Sequence, residues 1–169
     1  MFKKIESPIY AITPTYIHKN ELLDAVERTL ESEIRLIQYR FEDEINFEER
    51  YETAKKIQTI CNKWNATLVI NNDHRIAELI GCGLHIGQDI EDTRFLKEAK
   101  NISFVGLSCK NNTENQARKD TELFSYYSFG PLFESKTKKN LTGPIDIVDV
   151  SSKMDKEKIN IAIGGISEI

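Results

Sequence analysis

The sequence lacks most of the features that assign a protein quickly. Cysteine is scarce: Cys61, Cys82 and Cys109 are odd in number and widely spaced. They form neither a disulfide framework nor a Cys-x-x-Cys metal clip, so the reduced thiols of a cytoplasmic protein are the default expectation. No apolar run approaches the ~20 residues that span a bilayer. The first six residues, Met1 to Glu6, have no long apolar core of the secretory kind. Basic charge is also missing: the net charge is -4, which argues against general nucleic-acid binding. There is no glycine-rich dinucleotide turn either, since the first strand–helix junction reads Thr13-Pro14-Thr15.

What is present is an ordinary globular composition, with 40% hydrophobic and 30% charged residues in 169. That length fits one domain over 1–169, and no low-complexity linker divides it. Short apolar runs alternate with amphipathic segments. Strands are predicted at 9–12, 36–40, 67–70, 83–87, 103–108, 123–129 and 160–163. Between them, helices are predicted at 21–32 with Asn20 as cap, at 48–64, over 76–80, at 93–100, near 113–120 and within 144–153. This alternation implies right-handed βαβ units and a parallel sheet. Polar residues follow nearly every strand, which favours a closed (β/α)8 barrel over an open doubly wound sheet, because a barrel gathers its strand ends into one mouth.

In that architecture the strand ends offer Gln38, Arg40, Asn72, Asp73, Gln88, Asp89, Ser108, Ser135, Thr137, Lys138 and the Gly164-Gly165 turn. Gln38 and Arg40 lie two apart and share a face. Arg40 and Lys138 suit a diphosphate, and Asp73 or Asp89 suits Mg2+, a hard ion content with one or two carboxylates plus waters and substrate phosphates. The Gly-Gly turn lets backbone N–H groups approach a phosphate. Plainer roles stand beside these. Arg40 can pair with Glu42 or Asp43, Asp73 can cap the next helix, and His85 reads as a hydrogen-bonded strand residue, with His18 and His74 solvated. Likewise, Gly130 to Lys139 alone reads as a basic turn.

The order of these motifs resembles the thiamine-phosphate synthase family and its thiazole tautomerase relatives. The resemblance rests on Gln38-x-Arg40, Asn72-Asp73, the run Gly83-Leu84-His85-Ile86-Gly87-Gln88, and Val105-Gly106-Leu107-Ser108. It continues in Gly130-Pro131 with Thr137-Lys138, and in Ile163-Gly164-Gly165-Ile166. It implies a (β/α)8 TIM barrel, here lacking its last βα unit. The implied reaction joins an aminopyrimidine diphosphate to a thiazole phosphate with Mg2+. By the same resemblance Gln38 contacts the pyrimidine, Arg40 and Lys138 the diphosphate, and Ser108 the reacting centre. Asn72 pairs with the metal ligand Asp73, Ser135 and Thr137 serve the thiazole phosphate, and Gly164 and Gly165 offer phosphate-binding amides.

The family pattern is not kept throughout. A lysine is expected where Glu42 stands, and an aspartate where Ile90 stands, so Asp89 is the candidate second metal ligand. The tautomerase branch expects a histidine where the chain reads Cys109-Lys110-Asn111. Three readings follow. The synthase ranks first, ahead of a tautomerase-like proton-transfer enzyme and a catalytically impaired member that binds a phosphorylated ligand. Expected partners are phosphorylated small molecules, not nucleic acid or membrane. Without an eighth strand, strands one and seven would expose edges, which self-association or the chain's own ends would have to cover.

Overall fold

The computed structural model describes residues 8–15, 18–41, 44–87, 92–109, 121–134 and 144–166. Strands and helices alternate through them: β1 (Ala11–Ile12), α1 (Lys19–Glu31), β2 (Leu36–Tyr39), α2 (Phe47–Lys63), β3 (Thr67–Asn71), α3 (His74–Ile80) and β4 (Gly83–Ile86). Then come α4 (Phe95–Glu98), β5 (Val105–Cys109), β6 (Tyr126–Phe129), α5 (Ile147–Lys153) and β7 (Ile159–Ala162). The chain divides into two compact units, one built on residues 1–85 with 98–104 and the other on 86–97 with 105–169. No helix among the described residues is long and apolar enough to cross a membrane.

In the first unit β1, β2, β3 and β4 pair in parallel and in chain order. All four residues of β2 and of β4 are buried, as are Leu68, Val69 and Ile70 of β3. Such strands are covered on both faces, the usual condition of a parallel sheet. The cover comes from helices with apolar stripes. α1 buries Leu22, Val26 and Leu30, each one turn after the last, and α2 buries Thr53, Ala54, Ile57 and Cys61. Each large apolar side chain so buried contributes about 1.5–3 kcal/mol.

The helix starts follow local chemistry. Asn46 Oδ1 accepts the Glu49 N–H at 3.0 Å, and Glu48 and Glu49 place negative charge at the positive end of α2. α3 is capped by Asp73 and closed by Gly81 in the left-handed region at φ 78. α1 differs from expectation: it begins at Lys19, so Asn20 lies inside the first turn and caps nothing. His18 takes the cap position without a side-chain hydrogen bond.

In the second unit β5, β6 and β7 are parallel and again in chain order. β6 is fully buried, with Phe124, Tyr126, Tyr127 and Phe129 among the largest enclosed side chains. It starts later than the apolar run suggested. Thr121–Leu123 forms one 3-10 turn, Phe124 fills the core, and Ser125 N–H bonds Val105 O at 2.7 Å before the ladder proper begins. β7 is the least covered strand, with Ile159 and Ala162 exposed. The helix expected near 113–120 lies outside the described residues.

Gly106 pairs with Tyr126 across the β5–β6 ladder, and the aromatic ring fills the space a side chain would need. A Cβ at Gly106 would fall 1.9 Å from Tyr126 Cζ. Gly106→Ala should therefore destabilise by about 1–3 kcal/mol through overpacking. The measurement is the urea midpoint at constant m-value; an unchanged midpoint would contradict this placement of the ring.

Candidate active site

The first unit carries its candidate residues where β1, β2 and β3 end. Gln38 is buried within β2, and its Nε2 donates to the Tyr10 hydroxyl at 2.8 Å. Among the described residues its carbonyl oxygen and second N–H have no partner, so the amide is oriented yet keeps a donor and an acceptor for a ligand. Arg40 follows two residues on. Thr13 fixes its backbone: Thr13 Oγ1 accepts the Arg40 N–H at 2.9 Å and donates to Arg40 O at 3.1 Å. Thr13 N–H in turn donates to Gln38 O at 2.9 Å. The half-buried Arg40 pairs with no described carboxylate; its alternative partners Glu42 and Asp43 lie outside the described residues.

At the end of β3 the chain turns sharply. Asn72 holds a φ of +61, a left-handed conformation that asparagine tolerates better than most residues. Its N–H donates to His85 O at 2.8 Å. The turn delivers Asp73, which takes up the capping role. Asp73 Oδ1 accepts the Ile76 N–H at 3.4 Å. The same carboxylate also meets two guanidiniums: Arg50 Nη2 lies 3.3 Å from Oδ2, and Arg75 Nε lies 3.4 Å from Oδ1. Arg50 stacks on Phe41 at 4.8 Å and Arg75 on Phe47 at 4.7 Å. Two cations around one carboxylate leave a positive surplus, the charge a polyanion requires.

The second unit places Ser108 on β5 beside Ser128 on β6, with the two Oγ atoms 3.5 Å apart, a weak contact. Gly164 and Gly165 follow β7 with φ of 94 and 68. They lie flat against the segment after β6. A Cβ at Gly164 would meet Pro131 Cα at 2.6 Å, and one at Gly165 would meet Glu134 O at 2.5 Å. Leu132 N–H donates to Ile163 O and Phe133 N–H to Gly164 O, both at 3.0 Å. Among the described residues no acceptor takes the N–H of Gly164 or Gly165. Ser135, Thr137, Lys138 and Asp89 lie outside the described residues, as do Gln88 and Ile90.

The sequence model of the family described as "Thiamine monophosphate synthase" matches residues 9–168. The chain belongs to the thiamine monophosphate synthase family. It is 34% identical over 167 residues to the thiamine-phosphate synthase of Nitrosococcus oceani, spanning 94% of this chain and 74% of that one. It is 32% identical over 173 residues to thiamine-phosphate synthase 1 of Streptococcus pneumoniae, spanning 98% and 82%. The solved thiamine phosphate pyrophosphorylase of Pyrococcus furiosus shares the fold, with a TM-score of 0.74 over 95% of this chain and 77% of that one at 20% identity.

Within the family frame the structure adds residues that sequence reasoning passed over. Thr13 and Tyr10 hold Arg40 and Gln38 in place. Arg50 grips Asp73 from α2. Its signal was legible, because Arg50 stands four residues before Ala54 and seven before Ile57, on the buried stripe of that helix. A charged residue on such a stripe needs a partner. No reactive thiol emerges: burial pushes Cys61 and Cys82 up to about 12, and Cys109 is buried.

His85, buried in β4, has its imidazole pushed down to about 4 by burial. It is therefore neutral at pH 7 and no general acid there. The unfolded chain takes up this proton near the ordinary value of about 6.5. Between those values the unfolded state binds more protons, so stability is full above about 6.5 and falls as pH drops toward 4. The loss attributable to His85 is on the order of 3 kcal/mol at pH 4. Urea midpoints from pH 7.5 to 4.5 should show a flatter slope for His85→Gln than for the wild type. Equal slopes would assign the acid sensitivity to another group.

Proposed function

We propose that this chain is a thiamine-phosphate synthase, joining an aminopyrimidine diphosphate to a thiazole phosphate. The C–O bond between the pyrimidine methylene and diphosphate breaks, the thiazole nitrogen captures that carbon, and diphosphate leaves. The family match over residues 9–168 supports this. The geometric observation that carries it is the pairing of Gln38 and Arg40 at the end of β2. One offers an amide held by Tyr10 that keeps a donor and an acceptor untaken among the described residues for a heteroaromatic ring, and the other a guanidinium without a described carboxylate partner for a phosphate. The finer architecture that goes with this reading is the (β/α)8 barrel, supported by parallel strands in chain order. A cytoplasmic location goes with it too.

In this reading Ser108 lies by the reacting carbon, and Ser135 and Thr137 hold the thiazole phosphate. Lys138 and Arg40 neutralise the leaving diphosphate, Asn72 assists, and the N–H groups of Gly164 and Gly165, untaken among the described residues, face a phosphate. The residues fit Mg2+ held by few protein ligands. Among the described residues no cluster of three or more His, Cys, Asp or Glu is present, while Asp73 supplies the hard oxygen donor that such an ion takes alongside waters and substrate phosphates. Asp73 would hold it, with Asp89 as the second candidate. Bound there, the ion would supply neutralisation of leaving-group charge. The chain's own residues supply alignment and further positive charge, which is most of what an ionising step with a stabilised cation requires. A base is not central, and the buried Cys109 gives no support to a tautomerase.

The test is a coupling assay with both substrates and Mg2+, read as thiamine phosphate formed. Turnover is expected, and Arg40→Ala should lower affinity for the diphosphate substrate roughly 10- to 100-fold, the loss typical of a charged hydrogen bond. Saturable ligand binding without turnover would instead favour the catalytically impaired member, for which Glu42 and Ile90 are the motivating departures.

A further inference from the structure

The assignment of Asp73 as a metal ligand leaves an electrostatic problem that the structure itself poses. A dication cannot join a carboxylate already shared by two guanidiniums without displacing charge, since like charges at contact distance repel strongly. The two arginines are not equivalent. Arg50 has 15% of its side chain exposed, is stacked on Phe41, and has a buried Nε with no acceptor among the described residues. Pulling it away from Asp73 would strand a buried charge, a costly change. Arg75 is 61% exposed. Its contacts to Asp73, at 3.4 Å from Nε and 3.5 Å from Nη2, are at or beyond the outer limit of a good hydrogen bond. It also keeps a second resting place, the Phe47 ring, whose face attracts the guanidinium after the carboxylate is released.

We propose that Arg75 is a resident counter-ion of Asp73 that leaves when the carboxylate takes a metal ion, while Arg50 stays and orients it. Arg75 thereby sets how tightly the site holds the ion, acting as a positioning residue through Asp73 rather than on substrate. Exchange of one cation for another keeps Asp73 neutralised throughout, so α3 never loses its cap to an unpaired carboxylate. The inference rests on the reading that Asp73 binds Mg2+, and its test separates the two.

The experiment is calorimetric titration of MgCl2 into the full chain, with and without inorganic pyrophosphate. Removing an exposed competing charge by Arg75→Gln should tighten Mg2+ binding roughly two- to fivefold, the range of an exposed ion pair. Arg75→Lys, which keeps the charge, should stay near the wild type, and the Arg75→Gln advantage should shrink at high salt. A merely structural role for Arg75 would lower the thermal midpoint without tightening the ion. Unchanged or weaker Mg2+ binding in Arg75→Gln, with binding lost in Asp73→Asn, overturns the exchange and leaves the ligand assignment standing. Wild-type Mg2+ binding in Asp73→Asn overturns both.

Discussion

Burial of the parallel strands on both faces is the constraint from which the rest of this structure follows. A strand covered on both sides has no room for polar side chains along its length, so polar groups collect where the strands end. In the first unit that yields Arg40 after Tyr39, and Asn72 and Asp73 after Asn71. The exceptions inside the strands are few and bonded. Gln38 leans on Tyr10, and His85 lies against the Asn72 turn through its own carbonyl. Because parallel strands all end on the same side of their sheet, residues distant in sequence arrive together without any need for a dedicated loop.

Asp73 shows how folding and chemistry share one group. It caps α3, compensates the buried charge of Arg50, and holds the exposed Arg75. Among the described residues no contact of its carboxylate is shorter than 3.3 Å, so no single donor has claimed that group. A carboxylate committed to one short, bidentate partner would be a poor ligand for anything else. One held loosely by several donors can exchange a partner while the helix it caps stays in place.

Much of this was legible in the residues, and the gaps have physical causes. The alternation of buried strands with amphipathic helices gave the element order, because the periods of 2 and 3.6 are set by backbone geometry. Cap position was missed at α1, since Asn20 is a good capping residue but His18 stands where the helix actually begins. The start of β6 was missed because hydrophobicity alone does not distinguish Leu123 in a 3-10 turn from Tyr126 in the ladder. The candidate strand-end residues are named from the polar positions that follow the apolar runs. Their supports are not: Thr13 lies 27 residues from Arg40, and Arg50 lies 23 from Asp73. Pairing at that separation is fixed by packing, which no local pattern records.

Burial of the neutral titratable side chains also bears on the chemistry. Burial moves the two thiols of Cys61 and Cys82 up to about 12 and the imidazole of His85 down to about 4. Each shift moves the group's pKa further from pH 7 and leaves it neutral there, the opposite of what a general acid or base requires. The charged groups near the ends of β2 and β3 are instead Arg40, Asp73 and the helix residues Arg50 and Arg75, and they differ in exposure and in partners. Burial thus keeps these three groups uncharged, while the paired charges of Arg50, Asp73 and Arg75 are held by ion pairs. A reaction limited by departure of a polyanion and by alignment of two reactants calls for that division. One limited by proton abstraction would call for the reverse.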